Sequence, residues 1–306
     1  MIRLPSAPLP APCPGTLSVL SYNLLAPCYV RVPGQFWNAY PHAQDAWLDW
    51  DGRQGLIVAQ VLAMDADVVC LQEVVFEERS GAWCLPTWMD AFQAAGYVGL
   101  LPGLKEKEWN SFANRNERVL GTRVCTGVAV WYKQERFEPT RPALTGNRSL
   151  TVFLTEKGAI PTTGTPPSYA IITVHLEGNQ ELHEKQVLQI QSVLKKLPAP
   201  FGGHVVLCGD FNSECQAGGP LAQAIRAQRW VELAEAPTGP SWAEPGLALR
   251  LDHVLHSPGL DVQAVLDMWE DRFSQIGLPN AECPSDHLPI AAVLRVKPLA
   301  VPAISE

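Results

Sequence analysis

Short, nearly continuous apolar runs alternate along this chain with stretches in which apolar positions recur every three or four residues. The first pattern is that of strands buried on both faces, the second that of amphipathic helices. Residues 17–22 form the first such run, ending at Asn23, and residues 67–72 the second, ending at Gln72-Glu73. Between them, apolar positions 57, 58, 61, 62 and 64 predict a helix over 52–64. A helix over 85–95, stopped by Gly96, precedes a strand over 97–101, and residues 127–132 are the next strand. Residues 151–155 and 169–175 read as a strand pair around the turn-rich 158–167. The clearest helix covers 181–197, with Val187, Ile190, Leu194 and Leu197 on one face and Pro198 beyond its end. Strands over 204–209, 251–255, 262–268 and 290–296 complete the series, while 37–51 and the charged segment 103–123 read as irregular.

Interleaved strands and helices of this kind predict sheets covered by helices. No tandem repeat and no long linker divides the chain, so one domain is expected over 16–298. A disordered Pro/Ala-rich lead-in over 1–15 and a short tail over 299–306 flank it.

Composition narrows the partners. A hydrophobic fraction of 47% against 18% charged residues allows a large core. The formal charge of −8 excludes binding of long nucleic acid by overall field, so a polynucleotide must meet a local patch. Eight scattered cysteines without a CxxC pair argue against a zinc ribbon and for a reducing, cytoplasmic setting. No apolar run reaches the ~20 residues of a membrane span, and the first residues lack the apolar segment of a secretory signal.

The ends of the apolar runs carry the chemistry. Glu73 ends Val68-Val69-Cys70-Leu71-Gln72, Asp210 ends Val205-Val206-Leu207-Cys208-Gly209, and His175 ends Ile171-Ile172-Thr173-Val174. Asn212 follows Asp210, and Asp252-His253 and Asp286-His287 add two further pairs. One acidic strand end serves as a helix cap or surface charge as readily as a ligand. Several together point to a common site, because ligands bind at strand termini in such sheets. Hard oxygen donors suit Mg²⁺, with Mn²⁺ as substitute, rather than zinc. Alternation turns His253 away from Asp252, so His253 reads as structural. His287 reads as functional, with Asp252 the carboxylate that orients it.

Six motifs occur in a familiar order: Tyr22-Asn23-Leu24-Leu25-Ala26, Leu71-Gln72-Glu73-Val74, Val174-His175-Leu176, Gly209-Asp210-Phe211-Asn212, Leu251-Asp252-His253-Val254 and Ser285-Asp286-His287-Leu288-Pro289-Ile290. This order resembles the endonuclease/exonuclease/phosphatase superfamily, DNase I-like, and most of all its deadenylase, nocturnin and Angel branch. The resemblance implies an α/β four-layer α/β/β/α sandwich of two mixed sheets and metal-dependent in-line attack of water on a phosphate. It implies Glu73, Asn23 and Asp286 around the metal, Asp210 on the attacking water and Asn212 on a phosphate oxygen. His287, held by Asp252, and His175 would face the phosphate. The implied activity is that of a 3′–5′ exoribonuclease on single-stranded RNA, with a small phosphoester as the alternative substrate. Tyrosyl-DNA phosphodiesterase-like activity and a catalytically inactive binding module are weaker alternatives.

The branch often carries a base-stacking aromatic before the Asp252 motif. Trp242 can fill that place or simply pack its loop onto the core. Segment 103–123, with Arg123, is the candidate substrate-access loop. The short lead-in holds no docking repeat for a deadenylase complex, and a monomer is expected.

Overall fold

The computed structural model describes residues 2–4, 8–30, 40–146, 148–158, 167–179, 182–198, 201–215, 218–227 and 233–297. The first sheet contains β1 (Ile2–Leu4), β2 (Thr16–Asn23), β3 (Val68–Arg79), β4 (Ala82–Cys84), β5 (Tyr97–Leu100) and β6 (Cys125–Lys133). It also takes in β15 (Leu260–Leu266) and β16 (Ile290–Val296), in the order β1-β15-β16-β2-β3-β6-β5, with β4 pairing β3. The second sheet contains β7 (Phe137–Gly146), β8 (Ser149–Glu156), β9 (Ser168–His175), β10 (His204–Asp210), β11 (Ala234–Glu235) and β14 (Asp252–His256). Its order is β11-β14-β10-β9-β8-β7, and β12 (Trp242–Glu244) and β13 (Leu247–Leu249) form a separate hairpin.

Eight helices accompany them among the described residues: α1 (Pro27–Val30), α2 (Asp45–Leu48), α3 (Trp50–Met64), α4 (Asp90–Ala94), α5 (Glu106–Leu120), α6 (His183–Lys195), α7 (Pro220–Arg226) and α8 (Phe273–Ile276). The strand period of two divides the core into layers. Leu17, Val19, Val68, Cys70 and Val130 face Leu150, Val152, Ile171, Val206 and Val254 between the sheets. Leu20, Val69, Leu71 and Trp131 turn the other way, onto Ile57, Val61, Phe92 and Trp109 of the helices outside. Ile172, Val174, Val205 and Leu207 do the same on the second sheet, against Ile190, Leu194, Leu221 and Ile225. This is the four-layer α/β/β/α arrangement.

Several features depart from the pattern-based reading, among them the continuation of β3 past Glu73 to Arg79 and the unexpected strand β7 and helix α7. The lead-in is not wholly disordered: Ile2–Leu4 pairs parallel with β15, Leu9 is buried, and its N–H donates to Met64 O at 3.2 Å. Its prolines forbid helix but permit extended chain. The charged segment 103–123 is mostly helix α5, whose narrow apolar stripe of Trp109, Ala113 and Leu120 is buried. Its high density of Lys, Arg, Glu and Asn hides that stripe. The loop-like 37–51 contains α2 and the start of α3 in its described part. The tail 299–306 and most of the 158–167 turn lie outside the described residues.

Parallel pairings β2–β3 and β9–β10 bring the C-terminal ends of β2, β9 and β10, and the irregularity of β3 at Glu73, to one edge of the molecule. β14 runs antiparallel to β10 with Asp210 opposite Asp252, so a strand start joins the same edge. Both sheets therefore deliver their terminal side chains to one place.

Candidate active site

Asp210 Oδ2 is the centre of the cluster. Asn23 Nδ2 donates to it at 2.9 Å, His175 Nε2 lies 3.6 Å away and His287 Nε2 3.8 Å away. Its other oxygen accepts the Asn212 N–H at 2.7 Å. Burial raises the Asp210 carboxyl above its ordinary range, against the lowering influence of His287.

Glu73 lies beside it. Its Oε2 accepts Ala26 N–H at 2.7 Å, and its Oε1 accepts Asn23 Nδ2 at 3.3 Å and lies 3.7 Å from His175 Nε2. Burial first, then the charge of Asp286, pushes the Glu73 carboxyl up to about 7. Asp286 Oδ2 accepts the Tyr40 hydroxyl at 2.9 Å and the Trp242 indole N–H at 3.3 Å. Trp242 also forms an isolated antiparallel bridge with His287. Its ring is thus tied to the rim of the site.

The two imidazoles are tuned apart. Burial opposes charge on both, and it holds His175 down to about 4. At His287 the carboxylates Asp252, Asp210 and Asp286 outweigh burial and raise the ring well above its ordinary value. His287 Nδ1 meets Asp252 Oδ2 at 2.7 Å. At neutral pH His287 is a charged donor and His175 a neutral ring.

The backbone is bent to this purpose. Glu73 (φ 58°), Leu25 (φ 52°) and Asn212 (φ 51°) adopt left-handed conformations at three ends of the site, as strained residues at functional loci do. Gly209 has φ +139°, and a Cβ there would fall 2.0 Å from Val174 O. Only glycine allows Asp210 to pass so close to the neighbouring strand.

Arg53 fastens the rear. Completely buried, it donates from Nη2 to Leu24 O and Leu25 O at 2.6 Å each and from Nε to Pro284 O. Ser285 Oγ donates to Asn23 O at 2.7 Å. The segments bearing Asn23 and Asp286 are thereby locked together. Ser241 Oγ accepts the Asp252 N–H at 3.0 Å, fixing the carboxylate that orients His287.

Nine of the ten residues singled out from the sequence meet at this edge: Asn23, Glu73, His175, Asp210, Asn212, Trp242, Asp252, Asp286 and His287. Arg123 does not. Its guanidinium donates to Asn114 and Asn110, pairs with Glu78 and sits over Trp83, fastening the end of α5 to β3 and β4. Asn23 Oδ1 accepts Leu25 N–H at 3.0 Å, and its Nδ2 faces Glu73 and Asp210. His253 is structural, as alternation implied, bound between Glu235 and Ser213 O. Missed altogether were Arg53, Tyr40 and Ser241. Arg53 had a signal, since it shares the buried helical face of Ile57, Val61 and Met64.

The residues fit a divalent cation. Glu73 and Asp286 are hard oxygen donors, and burial first, then the charge of Asp286, raises the Glu73 carboxyl. Asp210, Asp252 and His287 also place ligand-type atoms within 4.8 Å of one another. In that trio, however, His287 Nδ1 is already committed to Asp252, which makes it an acid–base array before a metal cage. Charged donors, neutral imidazole and hard oxygens around one buried carboxylate are the equipment for phosphoester hydrolysis.

Fold and site together define a phosphoric ester hydrolase with DNase I-like architecture. The chain belongs to the Endonuclease/Exonuclease/phosphatase family, whose description matches residues 20–287. That family is typically divalent-metal dependent. Nocturnin of Homo sapiens is 24% identical over 90% of this chain and 65% of its own length. The CCR4-Not complex 3′-5′-exoribonuclease subunit Ccr4 of Saccharomyces cerevisiae is 24% identical over 90% of this chain and 38% of its own length. The chain thus spans well under half of that relative. Among solved structures, ANGEL2, described as a 2′,3′-cyclic phosphatase, superposes with a TM-score of 0.69 at 20% identity, covering 92% of this chain and 96% of that one. No described helix is long and apolar enough to cross a membrane.

Proposed function

We propose that the chain is a Mg²⁺-dependent phosphodiesterase acting at the 3′ end of single-stranded RNA, as a 3′–5′ exoribonuclease of deadenylase type. The observation that carries the phosphodiesterase reading is the position of Asp210, buried among Asn23, His175, Asn212 and His287. Similarity to Ccr4 over nine-tenths of the chain supports the exoribonuclease assignment. In this account Asp210 orients the attacking water and takes its proton. His287, kept charged by Asp252, donates to a phosphoryl oxygen as charge develops there, and Asn212 and His175 contact the others. Glu73 and Asp286, with Asn23 beside them, would hold the cation. Mg²⁺, when bound, supplies Lewis-acid stabilisation of the phosphate.

A second reading is hydrolysis of a small phosphoester, including a 2′,3′-cyclic phosphate. The acidic balance of −8 favours it.

Incubation of a 5′-labelled oligoadenylate with Mg²⁺ separates the two. A ladder shortening from the 3′ end supports the exoribonuclease. Intact RNA with turnover of a nucleoside 2′,3′-cyclic phosphate would replace it with the small-substrate reading.

A further inference from the structure

The phosphate-facing edge continues beyond His175. Arg148 immediately precedes β8; its carbonyl accepts the His175 N–H at 2.9 Å, and its Nη1 donates to Leu176 O at 3.0 Å. The field of its guanidinium reaches the His175 ring and the Tyr29 phenol. Across the end of the β7–β8 pair lies a cavity of about 490 Å³ whose lining includes Lys107, Ser111, Phe112, Thr145 and Lys196. β7 is two places from β9 in the sheet, and Gly146 at the cavity pairs with Ser149, which pairs with Val174 beside His175.

The polar groups there are held by the protein's own backbone. Lys196 Nζ donates to Thr145 O at 2.9 Å, and Thr145 Oγ1 accepts the Gly103 N–H at 2.8 Å. Neither Lys107 nor Lys196, nor Arg148, has a carboxylate partner among the described residues. Glu108 also lines the cavity, its carboxylate accepting the Lys105 N–H at 2.7 Å, so the lining's two lysines outweigh its one carboxylate. Phe112 is half-buried at the same wall and offers a ring to a base. A chain of formal charge −8 repels a polyanion at long range, so unpaired cations in a concave track are what would hold one locally.

We infer that this cavity is a second nucleic-acid subsite, in which Lys107 and Lys196 take backbone phosphates of single-stranded RNA beyond the scissile group and Arg148 bridges the two sites. The inference rests on the exoribonuclease reading.

Its test compares the wild-type chain with a Lys107→Glu/Lys196→Glu variant on oligoadenylates of two and of about twenty nucleotides. A control variant, Lys157→Glu/Lys297→Glu, makes the same charge change at the opposite ends of the strands. The expected result is a KM for the long substrate raised about tenfold, with kcat and dinucleotide turnover unchanged and a shallower dependence of KM on salt. The control leaves the KM within about twofold. Equal KM values for wild type and site variant on the long substrate would overturn the inference while leaving the exoribonuclease reading intact. A wild-type chain inert on every oligonucleotide would overturn that reading, and the inference with it.

Discussion

Asp252 and His287, on separate segments 35 residues apart, meet at 2.7 Å through Oδ2 and Nδ1, both buried. The pair fixes the tautomer of the ring and directs Nε2 toward Asp210, 3.8 Å away. Asp252→Asn retains the shape and removes the charge. It lowers kcat by about 10²–10⁴-fold with little change in KM, since the loss falls on the transition state. The His287 ring then titrates lower, so the variant loses activity at a lower alkaline pH than wild type. A pH–rate profile reads both effects.

Glu73 makes metal binding pH-dependent. A carboxyl held up at about 7 must lose its proton to act as a ligand. Apparent Mn²⁺ affinity accordingly rises about fivefold between pH 6 and 7 and levels off above pH 8. Calorimetry in buffers of different ionisation enthalpy reads the proton released.

The same group sets a stability trend in the metal-free protein. Its folded-state pKa is raised from 4.5 to about 7, so its contribution is fully present below 4.5 and lost as pH rises through 7. Glu73→Gln removes that loss and keeps an acceptor for Ala26 N–H. At pH 8 the variant unfolds on the order of 2–3 kcal/mol later than wild type, and the gap closes toward pH 4.5. Denaturant titrations at the two pH values measure it.

Gly209→Ala tests the backbone argument. A Cβ 2.0 Å from Val174 O at φ +139° forces β9 and β10 apart. The variant loses about 3 kcal/mol or more and does not recover activity in the remaining folded fraction.

Arg53→Met removes the donors to Leu24 O, Leu25 O and Pro284 O. Leaving three buried carbonyls unpaired costs about 3 kcal/mol or more, and the metal-holding residues lose their mutual spacing. A lowered Tm together with weakened Mn²⁺ binding is the expected pair of results.

His175 and Asp210 were legible because buried strands leave continuous apolar runs, and a polar residue at their end stands out; Glu73 stood out in the same way, but it sits at an irregularity within β3, which runs on to Arg79. The pairing of Asp252 with His287 was legible from chemistry, since an imidazole needs an orienting acid. α5 was not, because charged residues surround its narrow stripe. Arg123 drew attention by its charge, whereas its neighbours Asn110, Asn114 and Glu78 decide its place. Tyr40 and Arg148 reach the site from irregular segments, where no periodicity tells which way a side chain points.

Water attack organised by Asp210 with a divalent cation is tested by hydrolysis of bis(p-nitrophenyl) phosphate with Mg²⁺ or Mn²⁺, wild type beside Asp210→Asn. The expected result is metal-dependent turnover that chelator abolishes and that falls by about 10²–10⁴-fold in the variant, with its fold intact by circular dichroism. Turnover that survives chelation, or a variant as fast as wild type, would contradict it.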